Sequence, residues 1–141
     1  MARTLLCEIV TPERIIYSNE VRMVVAMTTT GEVGILPLHS PLVSTLAPGE
    51  VRLKIGDGPG DWEHFAVAGG YLQVLEDIVI ILADAALADS QIDKDRAMES
   101  LERVRERLNA LPTDAEDERS ECERDLHWCE MQIKTAEKAN V

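Results

Sequence analysis

In this 141-residue chain, three histidines, three cysteines and one short acid–base motif are the residues whose types could do chemistry. His39, His64 and His127 share no metal-ligand spacing with one another. Cys122, His127 and Cys129 fall at offsets of five and two, which do not converge on a helix face as a tetrahedral metal requires. His39 and His64 flanking a metal in a small β-barrel enzyme stands as an alternative reading. Neither a G-x-S-x-G elbow nor a phosphate-binding G-x-x-x-x-G-K-[ST] loop occurs. The motif Ile92-Asp93-Lys94-Asp95-Arg96-Ala97 has two readings. Asp93 caps a helix and Arg96 pairs on its first turn. Alternatively, Arg96 neutralises a phosphate while Asp93 holds Arg96 or a ribose or base group. Trp128 reads as packing or a contact. The expectation is a noncatalytic protein with no catalytic residue, no metal and no required cofactor.

The elements that must position these residues fall into two halves. All eight glycines lie at or before Gly70 and five of the six prolines at or before Pro59; Pro112 alone stands later. Glycine and proline punctuate strands and tight turns and are poor in helix interiors. Residues 1–88 therefore read as a β domain and residues 89–141 as a helical hairpin domain. Each half carries a net charge of −6, with five basic against eleven acidic residues in the first and nine against fifteen in the second. This acidity argues against nucleic acid and anionic lipid as direct partners. No stretch is long enough to insert in a bilayer, and the start lacks a basic, apolar leader. The cysteines are too few for a disulfide framework, and Cys122 and Cys129 lie too far apart along one helix to bridge. A reduced, soluble protein is expected.

Short Val- and Ile-rich segments bounded by turn residues predict strands at Thr4–Val10, Val21–Thr28, Glu50–Ile55, Glu63–Val67, Tyr71–Leu75 and Ile78–Ala83. With no helix between them, they predict an antiparallel β-sandwich or flattened barrel. Ala47-Pro48-Gly49-Glu50 has the chemistry of a type II turn, and Gly56 to Gly60 a loop tip. After Ala88, Asp93 (or Ser90) caps a first helix whose seam is Ala97, Leu101, Val104, Leu108 and Leu111. Pro112 ends it. Thr113-Asp114-Ala115-Glu116 has capping-box form, and a second seam follows at Ala115, Cys122, Leu126, Cys129, Ile133 and Ala136. Two seams joined by a short turn make an antiparallel two-helix hairpin. The second helix answers leucines largely with Ala and Cys, so the arm is expected to be held closed by only a few kcal/mol, within reach of a ligand or partner.

Gly31 to Glu50, "GEVGILPLHSPLVSTLAPGE", resembles the loop-and-strand region of the epsilon subunit of bacterial F-type ATP synthases. "IVTPERIIYSNEV" at Ile9–Val21, "AVAGGYLQV" at Ala66–Val74, "ILADAA" at Ile81–Ala86 and "IDKDRAMES" at Ile92–Ser100 follow in the same order. The resemblance implies a noncatalytic central-stalk subunit for rotary ATP synthesis and proton transport. Its sandwich would join the gamma subunit and the c-ring, and its arm would regulate ATP hydrolysis. It implies a peripheral position on the cytoplasmic face of the cell inner membrane. By the same likeness, Glu32 and His39 would face the c-ring, with Glu32 meeting basic groups in the ring's polar loops.

Ile92, Asp93, Arg96 and Ala97 match the pattern with which some members bind regulatory ATP in the folded hairpin. Leu87 stands where those members place an acid, and Arg119 or Arg124 correspond only loosely to their second-helix arginines. In relatives a basic arm meets an acidic segment of the catalytic beta subunit. Here Thr113–Val141 holds four basic and nine acidic residues, so either inhibition is weak or that contact falls to Arg103, Arg105 and Arg107 on the first helix. A third reading is a free ATP-sensing adaptor, which would bind ATP without copurifying gamma subunit.

Overall fold

The structure, a computed structural model, describes residues 3–139. Ten strands come first: β1 (Leu5–Val10), β2 (Ile15–Val21), β3 (Met23–Thr28), β4 (Gly31–Ile35), β5 (Leu42–Leu46), β6 (Gly49–Lys54), β7 (Trp62–Val67), β8 (Gly70–Leu75), β9 (Ile78–Ala83) and β10 (Ala86–Ala88). A single 3₁₀ turn at Asp89–Gln91 leads into α1 (Lys94–Ala110) and α2 (Glu116–Ala139). Alternation sets the faces: Leu5, Cys7 and Ile9 of β1, and Val51 and Leu53 of β6, point inward and are almost wholly buried.

The strands pair in the order β10-β7-β6-β3-β5-β8-β9-β1-β2, with β4 on the free side of β3. β3 hands the sheet over: Met23–Val25 pair with β6, whereas Thr28 pairs with Leu46 of β5. Two layers result, and Tyr17 of β2 meets Phe65 of β7 edge-on at 5.3 Å between ring centres, drawing the open edges together. The buried cluster between the layers is drawn from the sandwich alone. Gly70 (φ +135°) enters β8 where a Cβ would run into the Leu82 carbonyl.

The six expected strands are present, and the sandwich with its helical hairpin is the fold. The differences are local. β2, β4, β5 and β10 add to the six: β2 is an exposed edge without alternation, β4 holds two glycines, and β10 is three residues long. The sheet is antiparallel except for β1 against β9, which run parallel from Leu6↔Ile78 to Val10↔Leu82. The type II turn at Pro48-Gly49 is corrected. Gly49 is the first residue of β6 and avoids the left-handed region that turn needs. β5 and β6 are not partners, so the chain crosses there instead of folding back. Glycine serves close approach, since a Cβ would lie 3.0 Å from Met27 Cβ.

In the arm, Asp93 caps α1 as expected, its Oδ1 accepting the Arg96 N–H at 3.1 Å. The capping box at Thr113 is corrected: the Ala115 N–H reaches the Pro112 carbonyl in a turn that absorbs Thr113 and Asp114, and α2 starts at Glu116. Glu116, Asp117 and Glu118 then favour that helix start electrostatically. The seam buries Ala97, Cys122, Cys129 and Ala136, while Leu101, Leu108 and Leu111 are only half-buried. α2 rests on the outside of β7 and β6 and on the 3₁₀ turn. The hairpin is thus docked on the sandwich, without sharing its interior.

Candidate functional site

The fold brings part of the Ile92–Ala97 motif to one place. Asp93, Arg96 and Ala97 line a hollow of about 440 Å³ between α1 and α2, with Leu87, Asp125 and Trp128. Ile92 is not among its lining residues. Arg119 is engaged elsewhere, donating to the Leu108 and Leu111 carbonyls at 3.4 and 3.3 Å and so closing the end of α1. Arg124 is also absent from the lining, and Asp125 takes the place on α2. One guanidinium therefore faces two carboxylates. That charge set does not suit a triphosphate.

Glu32 and His39 are held by different neighbours. Glu32 lies on β4, its exposed carboxylate 3.0 Å from Arg52 Nη2. Arg52 also sits over the Trp62 ring at 5.7 Å and lies 3.7 Å from Glu50 Oε1. His39 lies in the loop after β4, its Nδ1 2.7 Å from the Ser40 carbonyl. Beside it Leu38 protrudes, 70% exposed and at φ +67°, its N–H held by Asp77 Oδ1. Glu32 lines a hollow with α2, whereas His39 lines another with Arg3, Leu75 and Asp77; the two share no lining residue.

The three arginines of α1 do not make one patch. Arg103 and Arg107 are four residues apart on one face, and Arg105 falls on the other. Arg103 donates to Ser100 Oγ at 3.2 Å and Arg105 approaches Glu102 at 3.8 Å. The paired-histidine metal centre has no geometric basis. His39 leans on Ser40, His64 of β7 is 3.2 Å from Glu50 Oε1, and among the described residues no group of three His, Cys, Asp or Glu could hold a metal. All three cysteines are buried, and burial pushes the Cys7 thiol up to about 12 and raises that of Cys129.

A surface that sequence reasoning missed lies on the outer face of β5, β8 and β9. Val43, Tyr71, Leu75, Ile78 and Leu82 are exposed there, Val43 to 76%. Register joins them: Leu75 faces Ile78, Tyr71 faces Leu82, and Val43 faces Gln73 on the same side. The available signal was the unbroken apolar run Ile78–Ala83, which has no polar side to give to water.

The family model "ATP synthase, Delta/Epsilon chain, beta-sandwich domain" matches residues 4–89. An ATP synthase epsilon chain from Desulforamulus reducens is 39% identical over 97% of this chain and 100% of its own length. The chain belongs to the ATP synthase epsilon-chain family. Another epsilon chain, from Alkalihalophilus pseudofirmus, is 47% identical over 81% of this chain and 84% of its own. Similarity to solved structures extends the fold likeness. A chain in the Euglena gracilis mitochondrial ATP synthase structure (OSCP/F1/c-ring) matches with a TM-score of 0.76 at 23% identity, covering 94% of this chain and 81% of its own. One from the central stalk/c-ring structure of the Tetrahymena thermophila enzyme matches at 0.63 and 13%, covering 99% of this chain and 98% of its own. The epsilon-chain family is a family of ATP synthase subunits. Among the described residues, no helix is long and apolar enough to cross a membrane.

Proposed function

We propose that this epsilon chain is a noncatalytic rotor subunit whose sandwich links gamma to the c-ring at the cytoplasmic face of the membrane. The observation that carries the reading is the apolar outer face of β5, β8 and β9. Five large apolar side chains in register on a rigid sheet are unfavourable in water and suit a permanent partner. The assignment gives that face to gamma and the protruding Leu38–His39 loop, with Glu32, to the polar loops of the c-ring. A sheet-built body of this kind is stiff enough to transmit torque. The test is affinity purification of the tagged chain from its host. Recovery of gamma, beta and c together supports the reading; Tyr71→Glu should then lose gamma, and retention of gamma by that variant would sink it.

The arm is assigned a regulatory role. α2 docks from outside on β6 and β7, and the arm's own seam buries only small side chains, which supports an arm that can leave the body without unfolding it. Contact of the extended arm with the beta subunit is assigned to Arg103, Arg105 and Arg107. Regulatory ATP at the α1–α2 hollow has the shape of the site behind it and its charge against it. Isothermal titration of the purified chain decides that point, and no heat at millimolar ATP removes it.

A further inference from the structure

Both cysteines of α2 are buried within the arm and take no part in the sandwich interior: Cys122 is 0% and Cys129 6% exposed. Seven residues apart, they share one face of the helix, about 10 Å from each other along its axis. That face is turned to α1. Cys129 borders the α1–α2 hollow together with Ala97, Ser100 and Val104, and the Arg103 charge acts on its thiol. Arg119, earlier on α2, meets the Leu108 and Leu111 carbonyls at the far end of α1. Cys122 stands between these two meetings, so α1 covers it as well. Of the described elements, only α2 makes extended contact with α1. Parting the two helices therefore uncovers both thiols, whereas Cys7 is reached only by opening the sandwich core.

The closed and the opened arm differ in what they allow at these sulfurs. Closed, burial and the Asp125 and Glu130 charges raise the Cys129 pKa, which leaves little thiolate to react. Opened, both are ordinary thiols on an exposed helix. The seam at Cys122 is filled: the residue is wholly enclosed and does not border the hollow that Cys129 does. A group of several heavy atoms on its sulfur has no place in the closed hairpin. We infer that Cys122 and Cys129 form a redox-sensitive latch, in which mixed-disulfide formation with a low-molecular-weight disulfide holds α1 and α2 apart. The exchange needs no further reactant. A cysteine thiolate attacks one sulfur of the small disulfide, whose S–S bond breaks as the new one forms, and the departing thiolate takes up the proton that the cysteine lost. A free thiol reverses it. The latch presupposes a hairpin that opens, as the arm's regulatory assignment does, and nothing that is assigned to gamma, beta or the ring.

The test uses the native full chain and glutathione disulfide. Mass spectrometry of the digested protein should find the adduct on Cys122 and Cys129, and at least about tenfold less on Cys7, because an arm opens more often than a core. The adduct should speed proteolysis of residues 94–139, leave the sandwich intact and be reversed by dithiothreitol. Cys122→Ala should remove most of that change in proteolysis while Cys129 still takes up the adduct. Equal labelling of all three cysteines would mean that global unfolding exposes them and would overturn the proposal. So would a protease-resistant arm carrying the adduct on Cys122, since closure would then tolerate it. No adduct on the arm, under conditions that label the urea-unfolded chain, would overturn it too. Cleavage of the arm in the unmodified chain, measured alongside, reports opening itself, so failure of the latch is told apart from failure of the arm to open.

Discussion

Asp77 of the β8–β9 turn holds Leu38 of the β4–β5 loop in place, its Oδ1 accepting the Leu38 N–H at 2.7 Å. The same carboxylate lies 3.4 Å from Arg3 Nε. Leu38 sits at φ +67°, a costly backbone for a leucine, and is the most exposed large apolar residue of that loop. One aspartate therefore fixes the protruding loop that is assigned to the ring.

Removing that anchor should free the loop without harming the sandwich. Asp77→Ala is expected to raise amide exchange across residues 36–41, with the core strands unchanged. Copurification with c should fall. Unaltered exchange in the loop would show that Asp77 is not its anchor.

Alkaline unfolding should begin with a thiol. The Cys7 pKa is pushed from 9.0 up to about 12 by burial, with the Glu8 charge adding to it. A raised folded pKa means that this stability is fully present below about pH 9 and is lost as pH climbs through 12. Urea melts across that range should show the decline, and Cys7→Ala should make it shallower. At neutral pH, Cys7 and Cys129 should react with a thiol reagent far more slowly than in the unfolded chain.

Glu32→Lys reverses one end of the exposed pair with Arg52. The stability change should be within about 1 kcal/mol, as for other exposed ion pairs. Its functional consequence should be larger: weakened coupling of rotor to ring. Unchanged proton pumping by the reassembled enzyme would remove Glu32 from the contact.

The arm should detach before the body melts. Ala136 is 5% exposed on α2, and Ala136→Glu places a charge in that small-residue seam. Faster proteolysis of residues 94–139 with an intact sandwich is expected. Ending the chain after Ala88 should raise ATP hydrolysis by the complex, and Arg103→Ala with Arg107→Ala should reproduce much of that rise. No change in hydrolysis would remove the inhibitory role.

Much of the fold was legible because it rests on local pattern. Val51 and Leu53 against Arg52 and Lys54 announce a strand with one wet face, and Asp93 followed by the Ala97–Leu111 spacing announces a capped helix. β4 was hidden because Gly31 and Gly34 read as turn residues; only its pairing along β3 makes it a strand. The Thr113 box failed for a related reason: Thr113 is chemically able to cap, but the turn after Pro112 takes it first.

The sites divide along the same line. Asp93, Arg96 and Ala97 line one hollow because the motif is contiguous and one helical turn keeps it together. Arg119 was not legible as a helix-closing residue, because its partners, the Leu108 and Leu111 carbonyls, come within reach only when the two helices fold against each other.

By itself the sequence determined two architectures and a cap, since each depends on neighbours within a turn or a strand. Tertiary structure alone decided that β1 runs parallel to β9, that Tyr71 and Leu82 share an open apolar face, and that Glu50 and Thr135 line one hollow. Those relations join residues far apart in the chain, and only closing the sheet and docking α2 on it brings them within reach.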